Sequence, residues 1–193
     1  RYECRMQLNL TTTVPIVLYL GHLYARKGAH LLAEAVQFVE GESVFVFVGG
    51  TSDDIRRFRE RYGAHTRVSV LGHKPPHLVP FYLRAADILV LPNSATSEDS
   101  RIYTSPMKLF EYSASGTPII ASDVPSIREI LGEKTAFFVE PDNPKDLARA
   151  ITFVLENRAR AEEVAEAAQV LSTEFSWEFR AQAIASRFFD AIL

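Results

Sequence analysis

The stretch from Tyr103 to Ala121, Y-T-S-P-M-K-L-F-E-Y-S-A-S-G-T-P-I-I-A, decides how the chain is read, because it holds one whole helix-then-strand unit. Ser105 is a good N-cap, and Pro106 suits the first helical position, where no backbone donor is needed. Met107, Phe110 and Ala114 recur three and four apart and form an expected apolar stripe. Lys108, Glu111 and Ser115 fall on a separate polar stripe. Gly116 then ends the helix, and Pro118 to Ala121 reads as a short buried strand.

The physics of that unit suits an anion. A helix start presents unpaired N–H groups and the positive end of a dipole, worth about 0.3–1 kcal/mol to a nearby negative charge. Glu111 lies roughly 7–8 Å along the axis from Pro106, at about 1.5 Å per residue. A diphosphate at the helix start would therefore bring an attached ribose near Glu111, whose ionised carboxylate can accept from both hydroxyls of a cis-diol. From spacing alone a second reading stands beside it: Lys108 and Glu111 as an exposed helical ion pair worth about 0.2–0.5 kcal/mol.

Outward from this unit, strand and helix alternate along the chain. Val14 to Leu20 (V-P-I-V-L-Y-L) and Ser43 to Val48 (S-V-F-V-F-V) are unbroken apolar runs, as expected of strands covered on both faces. Arg67 to Leu71, Asp87 to Leu91, Pro118 to Ala121 and Thr135 to Val139 complete six strands. Helices are expected at 27–39, 51–62 (capped by Thr51, Ser52 or Asp53), 77–85 and 105–115. Further helices are expected at 125–131 (capped by Asp123 or Ser126), at 144–157 (capped by Asn143 or Asp142), near 159–171 and at 176–192. Residues 1–13 lack a period and read as a tail or interdomain linker, 14–174 as one Rossmann-like domain, and 175–193 as a closing helix.

Six such units predict an α/β fold: a doubly wound parallel sheet with right-handed crossovers and helices on both faces. The commonest order is 3-2-1-4-5-6, and ligands bind at the carboxyl edge where that order reverses. The reversal falls between strands one and four. The site is thus expected from the loop after Leu20 and the loop after Leu91, which leads into Ser105 and Glu111.

The first loop reads G-H-L-Y-A-R-K-G from Gly21 to Gly28. Arg26 and Lys27 sit at an expected helix start, where their charge opposes the dipole unless an anion lies between them. Charge-assisted bonds to phosphate contribute about 1.5–3 kcal/mol each. Lys27 is the stronger candidate and Arg26 reads as solvated surface. His22 is either a phosphate donor or a histidine packed at the strand end. The loop lacks G-x-G-x-x-G and is not a P-loop. Asp53 and Asp54 read as early-helix acids, and His65, His73 and His77 have no ligand spacing.

Composition narrows the class. The 193 residues are 47% hydrophobic and 23% charged, an ordinary globular profile. A net charge of −3 and a pI near 6.0 argue against a nucleic-acid binder. Cys4 stands alone, so neither an internal disulfide nor a cysteine-rich metal site is available. No apolar run is long enough to span a membrane, and no signal-peptide pattern precedes the first strand. The first residue is Arg1 rather than Met, so a piece of a longer protein is expected.

Taken together, G-H-L-Y-A-R-K-G-A-H-L-L-A-E-A (21–35), D-I-L-V-L-P-N-S (87–94), S-P-M-K-L-F-E-Y-S-A-S-G-T-P-I-I-A-S-D (105–123) and the closing F-S-W-E (175–178) resemble glycosyltransferase family 4. The resemblance covers only the carboxyl-terminal, donor-binding half of a GT-B enzyme. It implies retaining transfer from a nucleotide-diphosphate sugar without a metal or other cofactor. It implies a cytoplasmic protein acting in polysaccharide or glycolipid biosynthesis, with an acceptor-binding amino-terminal domain missing here and peripheral membrane association open to the whole. The family's second motif carboxylate falls on Glu111, as the ribose ligand, and its first on Tyr103, a departure. Lys27 matches the diphosphate lysine, whereas the accompanying arginine position holds His22. The resemblance makes Lys27 and Glu111 the catalytic pair and adds Gly21, His22, Lys74 (in the 72–75 loop beside the base), Tyr103, Thr104, Ser105, Pro106 and Met107 as donor contacts. Two other readings remain: a non-catalytic scaffold of GT-B descent, and half of a sugar-nucleotide epimerase or hydrolase.

Overall fold

The computed structural model describes residues 1–98, 101–102 and 107–190. Strands β1 (Ile16–Leu20), β2 (Val44–Val48), β3 (Val68–Gly72), β4 (Ile88–Leu91), β5 (Ile119–Ser122) and β6 (Phe137–Val139) form one sheet in the order β3-β2-β1-β4-β5-β6. Every neighbouring pair is parallel. Helices α1 (Tyr2–Gln7), α2 (Ala29–Ala35), α3 (Ser52–Tyr62), α4 (Val79–Ala85), α5 (Met107–Ala114), α6 (Pro125–Arg128), α7 (Pro144–Glu156), α8 (Arg158–Ser172) and α9 (Trp177–Asp190) occupy its faces and ends.

Alternation along β1 divides the core in two, because successive side chains on a strand point to opposite faces. Val17 and Tyr19 pack with residues of α2, α3 and α7, including Leu32, Phe58 and Ile151. Ile16, Leu18 and Leu20 pack on the other face with residues of α4, α5 and α8, including Tyr82, Leu109 and Ala168. The unbroken apolar runs of β1 and β2 are the sequence's record of that double coverage. Burying one such side chain contributes about 1.5–3 kcal/mol.

The amino-terminal rim is fastened by charge. The Asp87 carboxylate, immediately before β4, accepts the Ile16 N–H at 2.7 Å and pairs with the buried guanidinium of Arg5. Arg1 and Arg158 bond its other oxygen at 3.0 and 3.1 Å. Residues 2–7, read as part of a tail or linker, thus form a helix tied to the sheet by Arg5. Burial alone would raise the Asp87 pKa. The Ile16 N–H, the charges of Arg5 and Arg1 and the Arg158 bond reverse that and hold it below its ordinary value.

Several local expectations change. Residues 27–39 are not one helix: a 3-10 turn (Ala25–Lys27), a left-handed Gly28, α2 and a second 3-10 turn follow one another. On α5 the buried positions are Leu109, Tyr112 and Ser113, while Met107 is 79% exposed, so the expected Met107–Phe110–Ala114 stripe has the right period and the wrong phase. Short α6 has no side-chain cap, because its N-cap position falls on apolar Val124; Asp123, one residue earlier, instead gives both carboxylate oxygens to the Arg128 guanidinium. Thr51 and Asn143 do cap α3 and α7.

Candidate donor site at the β1–β4 crevice

The carboxyl edge between β1 and β4 is shaped first by backbone. Gly21 follows β1 at φ 149°, a conformation that favours glycine, and its N–H bonds Val48 O at 2.8 Å. Its neighbour Leu20 directs its N–H to the opposite side, where the Tyr112 hydroxyl of α5 accepts it at 2.9 Å. Gly28, at φ 73°, lies so close to the loop after β4 that a Cβ there would overlap the Pro92 carbonyl. Ser94 N–H also bonds Arg26 O at 3.3 Å. The two crossover loops therefore touch.

Lys108 extends from the first turn of α5 toward Gly21. A side chain at Gly21 would overlap Lys108 Nζ and come within 2.9 Å of its Cε. The half-buried ammonium lies 4.4 Å from the Tyr19 ring centre and donates to the Tyr19 hydroxyl at 3.4 Å. Tyr19 in turn donates to the His22 carbonyl. Burial, then the charge of Lys27, pulls the Lys108 pKa down to about 7, against the opposing pull of Glu111. Lys27 closes the 3-10 turn after β1. Burial, then the Arg26 charge, lowers its pKa too. Lys108 thus feels the charges of both Lys27 and Glu111. Among the described residues no carboxylate lies within 4.0 Å of either ammonium. Two crowded cations without a counter-ion form a place that favours an anion.

Glu111, one turn beyond Lys108, is exposed and lines a cavity of about 410 Å³ with Pro76, Val79, Leu83 and Ser115. Lys74 is half-buried in the loop between β3 and the 3-10 turn that begins at Pro76.

The remaining sequence candidates divide. Gly21, Lys27 and Glu111 come to one edge. The exposed His22 ring stacks on Tyr24, centroids 4.7 Å apart, and influences Asp54 of α3. Arg26 and Lys27 end a 3-10 turn and stand directly before Gly28, the N-cap of α2, so the expected helix start falls two residues further on. Met107 lines a second, largely apolar cavity with Phe175 and Trp177, which Glu111 also borders. Tyr103, Thr104, Ser105 and Pro106 lie outside the described residues. Lys108 was missed as a site residue. The exposed ion pair expected of it does not form, because its side chain turns inward to the space that Gly21 leaves open. Only a glycine directly after a strand could have signalled that space.

A parallel Rossmann-like sheet with a basic and acidic crevice at its switch point defines one half of the GT-B architecture. Residues 2–170 match the family described as glycosyl transferases group 1, and the chain belongs to that family. It is 30% identical over 150 residues to TuaC of Bacillus subtilis (strain 168), described as a candidate teichuronic acid biosynthesis glycosyltransferase, covering 78% of this chain and 35% of TuaC. It is 27% identical over 200 residues to a D-inositol 3-phosphate glycosyltransferase of Corynebacterium glutamicum (strain R), covering 97% of this chain and 46% of that protein. Anabaena Alr3699/HepE, solved in complex with UDP and glucose, shares the fold at a TM-score of 0.80 and 21% identity, over 98% of this chain and 52% of that one. The chain spans about half, or less, of the length of these relatives.

Proposed function

We propose that this chain is the donor-binding half of a retaining glycosyltransferase, holding a nucleotide-diphosphate sugar at the β1–β4 crevice. Lys27 faces the diphosphate and Glu111 accepts from the ribose hydroxyls. The Gly72–Pro75 loop, with Lys74, borders the base. The observation that carries this reading is that Lys27, from the loop after β1, and Glu111, from α5, both act on the half-buried ammonium of Lys108, which reaches Gly21. The Glu111-lined cavity beside the Pro76 turn supports it. UDP is the first base to test, since the Anabaena relative was solved with it.

In this reading the glycosidic carbon–oxygen bond breaks and its electron pair stays on the diphosphate, where fixed positive charge strengthens its hold as negative charge develops. Side-chain cations meet that charge, and a bound metal is not required. An acceptor domain elsewhere in the whole protein completes the enzyme, so the chain by itself binds nucleotide and transfers little. Exposed Trp177 and Phe179 on α9, next to the Phe110–Phe175 contact at 5.1 Å, support docking of α9 toward that missing half. The reading places the domain in the cytoplasm; no helix among the described residues is long and apolar enough to cross a membrane.

Calorimetric titration of UDP, GDP and ADP tests the donor reading. One of them binds, and both Lys27→Ala and Glu111→Ala weaken it by about ten-fold or more. Failure of all three at millimolar concentration, with both variants silent, would establish a scaffold instead. Product anomers from the whole enzyme test retention.

A further inference from the structure

We infer that Lys108 is a further cation of the diphosphate subsite, supplied by α5 rather than by the loop after β1, and that Gly21 is glycine so that this ammonium can reach the crevice. The inference rests on the donor reading above and adds to it a residue outside the loop on which that reading depends.

The geometry is specific. His22 stacks on Tyr24 and influences Asp54 of α3, so the second cation beside Gly21 comes from another element. Lys108 reaches across from α5, over the Tyr19 ring, to the one position on the β1 edge where no Cβ obstructs it. Its described neighbours offer one hydroxyl and one aromatic face, and its ammonium carries three donors. A purely structural lysine would be expected to find a carboxylate or to snorkel into water. This one lies half-buried beside another cation, an arrangement that an arriving dianion relieves.

A proton follows the ligand. The titratable groups that act on Lys108 are Tyr19 on β1, Lys27 on the following turn and Glu111 on α5. Burial and the charge of Lys27 leave Lys108 titrating near neutrality in the free protein. A diphosphate between the two lysines raises the affinity of Lys108 for its proton, so binding draws a proton from solution and weakens as pH rises above about 7.

The test is calorimetry on the 193-residue chain with inorganic pyrophosphate, UDP, GDP and ADP, in buffers of different ionisation enthalpy near pH 7.5. The wild type takes up a fraction of a proton with the diphosphate. K108M loses that uptake and about ten-fold or more in affinity. K108R keeps the affinity and loses its pH dependence, because a guanidinium does not deprotonate in this range. Nitrogen-15 NMR of the lysine ammonium groups in the wild-type chain needs no variant: a resonance titrating near neutrality moves to higher pH on adding UDP or pyrophosphate. If a nucleotide binds and K108M binds it equally with unchanged proton uptake, or if no lysine titration moves, Lys108 is not a ligand and the donor reading stands. If the wild type binds none of the four probes, both readings fall.

Discussion

The Tyr112 hydroxyl, on α5, stands 2.9 Å from the backbone nitrogen of Leu20, the last residue of β1. Strand β1 pairs β4 through Val17 and Leu18 and then loses it as the two chains diverge. A buried N–H left there would be unsatisfied, and the tyrosine from the crossover helix fills the place of the absent strand. The opening of the crevice and the seating of the helix that carries Lys108 and Glu111 are thus one arrangement.

Tyr112→Phe should therefore destabilise the chain by about 1–3 kcal/mol, the effect of orphaning a buried donor. Urea unfolding gives the magnitude, and faster amide exchange at Leu20 locates it. An unchanged Leu20 amide would contradict the assignment.

Lys108→Met should stabilise the fold, in a pH-dependent way. The unfolded lysine keeps its proton up to about 10.4, whereas the folded one gives it up near 7. Between those values the unfolded chain binds more protons, so the wild type gains stability as pH rises. The advantage of the methionine variant is full below about pH 7, shrinks above it and vanishes beyond the unfolded pKa. Melting temperatures at pH 6, 8 and 10, chosen to bracket that window, check the trend.

Gly28→Ala should part the two crossover loops. Left-handed backbone alone disfavours alanine by about 1–2 kcal/mol, and the overlap with the Pro92 carbonyl adds to this. Loss of stability beyond the backbone value, together with weaker nucleotide binding, is the expected result.

Asp87→Asn should destabilise by about 3–5 kcal/mol at neutral pH, because it leaves the buried Arg5 without its charge partner. The Asp87 pKa is depressed in the folded chain, so its contribution is present above the unfolded carboxylate value, about 3.9, and is lost as pH falls through the folded one. The gap between variant and wild type should narrow below about pH 4 in an acid-unfolding series.

The sheet was legible because its signals are local: apolar runs such as S-V-F-V-F-V need no distant partner to be read, and alternation with helices dictates parallel strands. What stayed hidden depended on contacts far along the chain. The single helix expected over 27–39 breaks at Gly28 because Pro92, sixty-odd residues away, occupies the space a continuous helix with a side chain there would need. The stripe chosen on α5 was one of several phases with the same period, and only packing on β1 selects Leu109 and Tyr112. Spacing gave Lys108 and Glu111 a common polar face, yet the hole at Gly21 turns one inward and leaves the other at the surface. The cap expected of Asp123 or Ser126 falls instead on Val124, and Asp123 is engaged by a bidentate bond with Arg128, which periodicity does not register.

The clamp at Asp87 closes the end of the sheet where β1 and β4 begin, and the lysines gather at the end where they finish. The charge clamp and the proposed donor site therefore occupy opposite poles of the same two strands. An engineer wishing to harden this domain can work on the Arg1–Arg5–Arg158 pole without trespassing on the other.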